Sequence, residues 1–195
     1  MNQSLPQTQS RYKMVSYDDA TEEVKAIYDD TKKTLQLPFV LNWFKCQGDN
    51  AILLKGNWSK LKNTLMEGQV PNVLKQLIIY NVSKQRGCNY CSHAHGIFAD
   101  SMSSMISEEK GFRATQSLNS PSMPVSYRIA VQIVTKAALE HSEITDEDFS
   151  ELEKAGFTAR EIQELMAQAD LVNMLNTIAD VSGIKIDNEL LETPE

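Results

Sequence analysis

Several protein classes are excluded by what this sequence has little of. It holds three cysteines in 195 residues, too few for the disulfide framework of a small secreted domain. Basic side chains are in the minority: 19 Lys and Arg stand against 26 Asp and Glu, a net charge of −7. A nucleic-acid partner is therefore not expected, since such binding normally leaves a basic footprint. No run of about 18 apolar residues is present to span a membrane. The polar stretch Met1 to Ser10 has no apolar core of a signal peptide. A cytoplasmic protein without a membrane partner is the expectation. Strict alternation of apolar and polar residues is missing from every stretch long enough to be a strand, which leaves an all-α chain.

What is present fits that class. Hydrophobic residues make up 42% and charged residues 23%, enough for one substantial core. The expected architecture is a single all-α domain over residues 1–195 with about eight to ten helices. Residues 1–15 are read as a loose arm. Asp19 and Glu22 are spaced as a capping box, and Val24, Ile27, Tyr28 and Leu35 continue as a helical stripe. Leu37-Pro38 breaks that helix, and a short apolar helix follows from Phe39 to Gln47. A third helix is expected from about Asp49 to Met66. Pro71 opens a helix striped by Val73, Leu74, Leu77 and Ile78 and closed by Gly87. The next runs from about Asn89 to Met105, with a short helix and a connector over 107–123. Pro124 opens another long helix. Thr145 with Asp148, and Thr158 with Glu161, mark two more starts. The last segment, one helix or a broken pair, ends at Gly183 before an acidic tail. A weak internal repeat is visible, because Pro71 and Pro124 each open an apolar helix.

The chemistry concentrates at Gly-Cys-Asn-Tyr-Cys-Ser-His-Ala-His, residues 87–95. Cys88 and Cys91 form a C-x-x-C pair, and His95 follows four residues after the second cysteine. On a helix beginning near Cys88, positions i, i+3 and i+7 share a face, so Cys88, Cys91 and His95 are grouped and His93 projects elsewhere. The first turn of a helix offers unpaired N–H groups and a positive dipole end, both of which favour a thiolate. A redox dithiol with His95 as proton acceptor is the sharp reading. Two buried core cysteines and a satisfied helix histidine is the plain one. A zinc site wants four ligands, and no second C-x-x-C is present. Neither a metal nor an organic cofactor is expected. Cys46, beside Trp43 and Phe44, reads as core with a third redox thiol as the alternative, and His141, near a helix C-terminus, reads as structural.

The segment Val70 to Gly96 resembles the AhpD-like, carboxymuconolactone decarboxylase superfamily, above all its peroxidase-related branch. Leu152 to Ile162 and Leu171 to Asp180 resemble the same branch, so the similarity covers roughly residues 20–185. The motif-bearing core then spans about 39–106 and a C-terminal helical part about 124–183. The resemblance implies an all-α fold assembled as dimers, trimers or hexamers. It also implies thiol peroxidase activity of the antioxidant kind, with Cys91 attacking a hydroperoxide and Cys88 resolving. An external dithiol or reductase protein would close the cycle. In the family, a glutamate twelve residues before the first cysteine and a histidine just before the second complete a proton relay. Here those positions hold Gln76 and Tyr90. Glutamine cannot take a proton at neutral pH, and tyrosine is a poor base. A slowed peroxidase is one expectation; a non-catalytic helical oligomer with a redox-sensing or structural cysteine pair is the other.

Overall fold

A computed structural model describes residues 10–191. The first nine residues of the expected arm and the last four of the acidic tail lie outside the described residues. In chain order the α-helices are α1 (Glu22–Leu35), α2 (Asn42–Lys45), α3 (Ala51–Leu61), α4 (Asn72–Arg86), α5 (Asn89–Ser101), α6 (Val125–Leu139), α7 (Asp146–Lys154), α8 (Ala159–Ser182) and α9 (Asn188–Leu191). Among the described residues there is no strand. No helix among them is long and apolar enough to cross a membrane.

The chain forms two compact units. Among the described residues, one comprises those up to Lys60 with those from Thr177 onward, the other Leu61–Asn176. The first unit is built on the stripe of α1, where Val24, Ile27 and Tyr28 are buried. Phe44 meets Trp58 edge to face with centroids 5.5 Å apart, and the Trp58 indole N–H donates to Asp30 at 2.6 Å. The cap of α1 is Thr21, whose side chain accepts from the Val24 N–H, and not Asp19. The Asp19 carboxylate is engaged instead by the Ser16 hydroxyl at 2.7 Å. The helix expected from Phe39 to Gln47 shrinks to the four residues of α2. Leu41 is extended there, and the Asn42 N–H donates to Asp187 at 2.7 Å.

The second unit carries the motif. Helix α4 packs on both α5 and α6, and α6 on α7. Leu74, Leu77, Ile78, Val131, Val134, Leu165 and Leu171 are fully buried in it. Pro71 and Pro124 sit at the caps of α4 and α6 with nearly the same backbone angles, φ/ψ −55/136° and −54/135°. Both threonine boxes form: Thr145 with Asp148 starts α7, and Thr158 with Glu161 starts α8. Helix α8 is one unbroken element. The short helix expected within 107–123 is replaced by turns. There the N–H groups of Ala114 and Thr115 go to the side chains of Ser103 and Asp100 rather than to a helical ladder.

One feature of this unit has no trace in the sequence pattern. Lys75 is 1% exposed, and its ammonium donates to the carbonyls of Thr64 and Glu67 with the Glu164 carboxylate 3.8 Å away. The Thr64 carbonyl also accepts from the Gln168 amide at 2.9 Å. With that carbonyl engaged from outside, the expected last turn of α3 is loosened into a π-helical turn over Lys62–Met66. Burial lowers the Lys75 pKa, opposed by the Glu164 and Glu67 carboxylates. Glu164 in turn accepts from the N–H groups of Gln69 and Val70 at 2.8 and 3.0 Å. This clamp fixes the turn that leads into α4. Lys75→Met, which removes the cation beside Glu164 and takes the donor from the Glu67 carbonyl, is expected to cost about 2–4 kcal/mol. Urea unfolding measures it as a lower midpoint at unchanged slope; an unchanged midpoint contradicts the clamp.

Candidate functional site

The corner between α4 and α5 sets the site. Gly87 ends α4 in the left-handed conformation, φ 75°, so its N–H and that of Cys88 return to the carbonyls of the last turn. Any other residue there is strained. Cys88 follows at once as the cap of α5, with extended backbone, and its carbonyl accepts the Ser92 N–H at 3.0 Å. Cys91 is the third residue of α5. The C-x-x-C pair thus occupies the cap and third helical position, where unpaired N–H groups and the positive end of the dipole gather. Cys88 lies just outside the helix rather than within it, so only Cys91 and His95 stand in a true i, i+4 relation, one turn apart on one face.

Cys46, Cys88 and Cys91 are all thiols. Cys88 is 0% exposed and Cys91 1%, so bulk water reaches neither. Tyr90, between them, is buried, and His93 is exposed, away from the others as the spacing predicts. His141 lies on the surface beyond α6. Cys46 is buried in the first unit, where its thiol donates to the Trp43 carbonyl at 3.3 Å. Burial pushes its pKa up to about 11, which keeps it protonated and inert.

Gln76 and His95 meet directly. His95 Nδ1 lies 2.6 Å from Gln76 Oε1, across the α4–α5 contact. Gly96, the next residue, permits this approach: a Cβ there would stand 3.1 Å from the Tyr80 ring of α4. The His95 ring also stands edge-on to Phe98 with centroids 6.2 Å apart. Burial pushes its pKa down to about 4, so the ring is neutral at pH 7. Because Oε1 only accepts, Nδ1 carries the proton and Nε2 keeps its lone pair. The site therefore holds two thiols, a neutral imidazole with one nitrogen available as base, and an amide orienting that imidazole.

The network extends to residues that motif reasoning missed. Gln76 Nε2 donates to Asn72 Oδ1 at 3.2 Å, and Asn72 Nδ2 donates to the Met66 sulfur at 3.8 Å. The Asn72–Gln76 link is an i, i+4 amide pair on one helix, a signal readable from the sequence. Met66 is not, because the π-helical turn decides where its sulfur falls.

No family model matches the sequence, and no curated protein does. The three-dimensional structure matches solved ones over nearly its whole length and defines an AhpD-like fold. An uncharacterized peroxidase-related protein from Silicibacter sp. TM1040 superposes with a TM-score of 0.79 at 19% identity, covering 98% of each chain. An alkylhydroperoxidase AhpD core protein from Ralstonia eutropha JMP134, uncharacterized and peroxidase-related, gives 0.79 at 16% identity over 96% of each. The debrominase Bmp8, as a cysteine-to-alanine variant in complex with 2,3,4-tribromopyrrole, gives 0.75 at 17% identity over 95% of this chain and 97% of its own. Identities this low establish a shared fold and no shared reaction.

Proposed function

We propose that this protein is a thiol-dependent peroxidase working through a Cys88–Cys91 dithiol/disulfide cycle. The observation that carries the reading is His95, held by Gln76 one turn beyond Cys91, with a C-x-x-C pair at the cap of the same helix. His95 Nε2 takes the Cys91 proton. The thiolate attacks the hydroperoxide, the O–O bond breaks, and the proton passes to the departing alkoxide, giving an alcohol and a sulfenic acid on Cys91. Cys88 sulfur then displaces that hydroxyl, releasing water and forming the disulfide. An external dithiol or reductase protein restores both thiols. The sum is one hydroperoxide and one external dithiol converted to alcohol, water and an external disulfide. Burial of both sulfurs suits a small oxidant, and the AhpD-like neighbours described as peroxidase-related support the class. No cofactor or metal enters the cycle.

The debrominase neighbour supports a second reading of the same two thiols. Attack of Cys91 sulfur on the bromine of a bromoarene, with a proton delivered to carbon, gives a sulfenyl bromide; Cys88 then releases bromide as the disulfide forms. Both reactions reduce a substrate by two electrons and oxidise the same pair. The test is consumption of hydrogen peroxide, an organic hydroperoxide and a bromopyrrole with excess dithiol, before and after alkylation of the protein. Peroxide consumption that alkylation abolishes is the expected result. Bromide release without peroxide consumption selects the second reading. Identical rates before and after alkylation for all three overturn both and leave a non-catalytic, redox-sensing or structural pair.

A further inference from the structure

The line of contacts from His95 does not stop at the glutamine. It runs through Gln76 and Asn72 to the sulfur of Met66, in the π-helical turn that precedes α4. Gln76 is 4% exposed, while Asn72 and Met66 are half-buried. Each link has a direction. A thioether has no hydrogen to give, so the group of Asn72 that faces Met66 is its NH2. That turns the Asn72 carbonyl towards Gln76, and the Gln76 NH2 towards Asn72. The Gln76 carbonyl is then left for His95, which answers with Nδ1–H. Reversing any link would set oxygen lone pairs against sulfur lone pairs at the far end.

We infer that Asn72 is a positioning residue that, acting through Gln76 and anchored on the Met66 sulfur, holds His95 in the Nδ1–H tautomer and so reserves Nε2 as the proton acceptor of the site. An uncharged amide chain thus performs the orienting half of a carboxylate relay. A carboxylate at the glutamine position accepts from Nδ1–H whichever way it turns; an amide has two faces, and something must choose between them. Asn72 makes that choice. Its catalytic meaning rests on the peroxidase reading above, whereas the tautomer itself does not.

The experiment is the ring ¹⁵N spectrum of His95 near pH 7, with no substrate present, in wild-type protein and in Asn72→Leu and Asn72→Asp. Wild type is expected to show a protonated Nδ1 and a bare Nε2. Asn72→Asp can only accept from Gln76 and keeps that pattern. Asn72→Leu frees the Gln76 amide to turn, so both tautomers appear, and any thiol-dependent turnover falls about tenfold. A protonated Nε2 in wild type, or a wild-type His95 spectrum in Asn72→Leu, overturns the inference. The expected spectra in a protein that consumes no peroxide uphold the tautomer and overturn the peroxidase reading alone.

Discussion

Cys91→Ser is expected to lower dithiol-driven peroxide consumption by on the order of 10³-fold or more, the scale on which deleting a nucleophile acts. Serine is nearly isosteric, but its hydroxyl ionises far above neutral pH and oxygen does not form the sulfenic acid on which the cycle turns. Since Cys91 is buried and near the start of α5, the fold is expected to tolerate the change, and a preserved unfolding midpoint serves as control. Cys88→Ser behaves differently. The first oxidation proceeds at close to the wild-type rate and stops at a sulfenic acid on Cys91, which a sulfenic-acid trap labels one to one. Steady turnover then depends on the external thiol replacing Cys88, already held beside Cys91, as the resolving group and is slow. Rapid-mixing oxidation of the three proteins separates these roles. Equal loss of the first oxidation in both variants contradicts the assignment of Cys91 as attacker.

The second large effect runs in the opposite direction. Gln76→Glu is expected to raise turnover by about 10²-fold, the lower end of what general acid–base assistance supplies. The reason lies in the mismatch between base and thiol. With its pKa near 4, His95 draws little proton from a thiol whose ordinary pKa is about 8.5. A carboxylate accepting the Nδ1–H favours the imidazolium, and each unit by which the histidine rises multiplies the thiolate–imidazolium pair about tenfold. The same substitution places a charge where the glutamine is buried beside an apolar stripe. A stability loss of about 1–3 kcal/mol is expected with the gain in rate. The His95 midpoint, followed by ring resonances, should move up from about 4; a faster enzyme with an unmoved midpoint would refute this cause. An unchanged rate removes Gln76 from the proton path.

How much of this was legible in the sequence varies with the range of the interaction. The α4–α5 corner was plain, since Gly87 and the apolar stripes act within a few residues. The threonine boxes of α7 and α8 were equally local and formed as spaced. The start of α1 was misplaced because two capping residues compete within three positions, and Ser16 claims Asp19 first. Residues 107–123 were misread because side chains of Asp100 and Ser103, from the preceding segment, take up their N–H groups. Lys75 was invisible: its partner Glu164 is 89 residues away, and a lysine between stripe positions reads as solvated. The candidate residues Cys88, Cys91 and His95 came from spacing. Gln76 entered as a relay position through the resemblance, and its direct contact with His95 came from the structure. Only the structure gave the ring its hydrogen-bonded nitrogen and the amide chain its direction.

Peptide mass mapping of the protein after one equivalent of hydroperoxide, without added thiol, is the direct test of the dithiol cycle. A single intramolecular Cys88–Cys91 disulfide is expected, with loss of both thiols while Cys46 stays reduced. Overoxidised or unreacted Cys91 with Cys88 still a thiol, or a disulfide that includes Cys46, would contradict it.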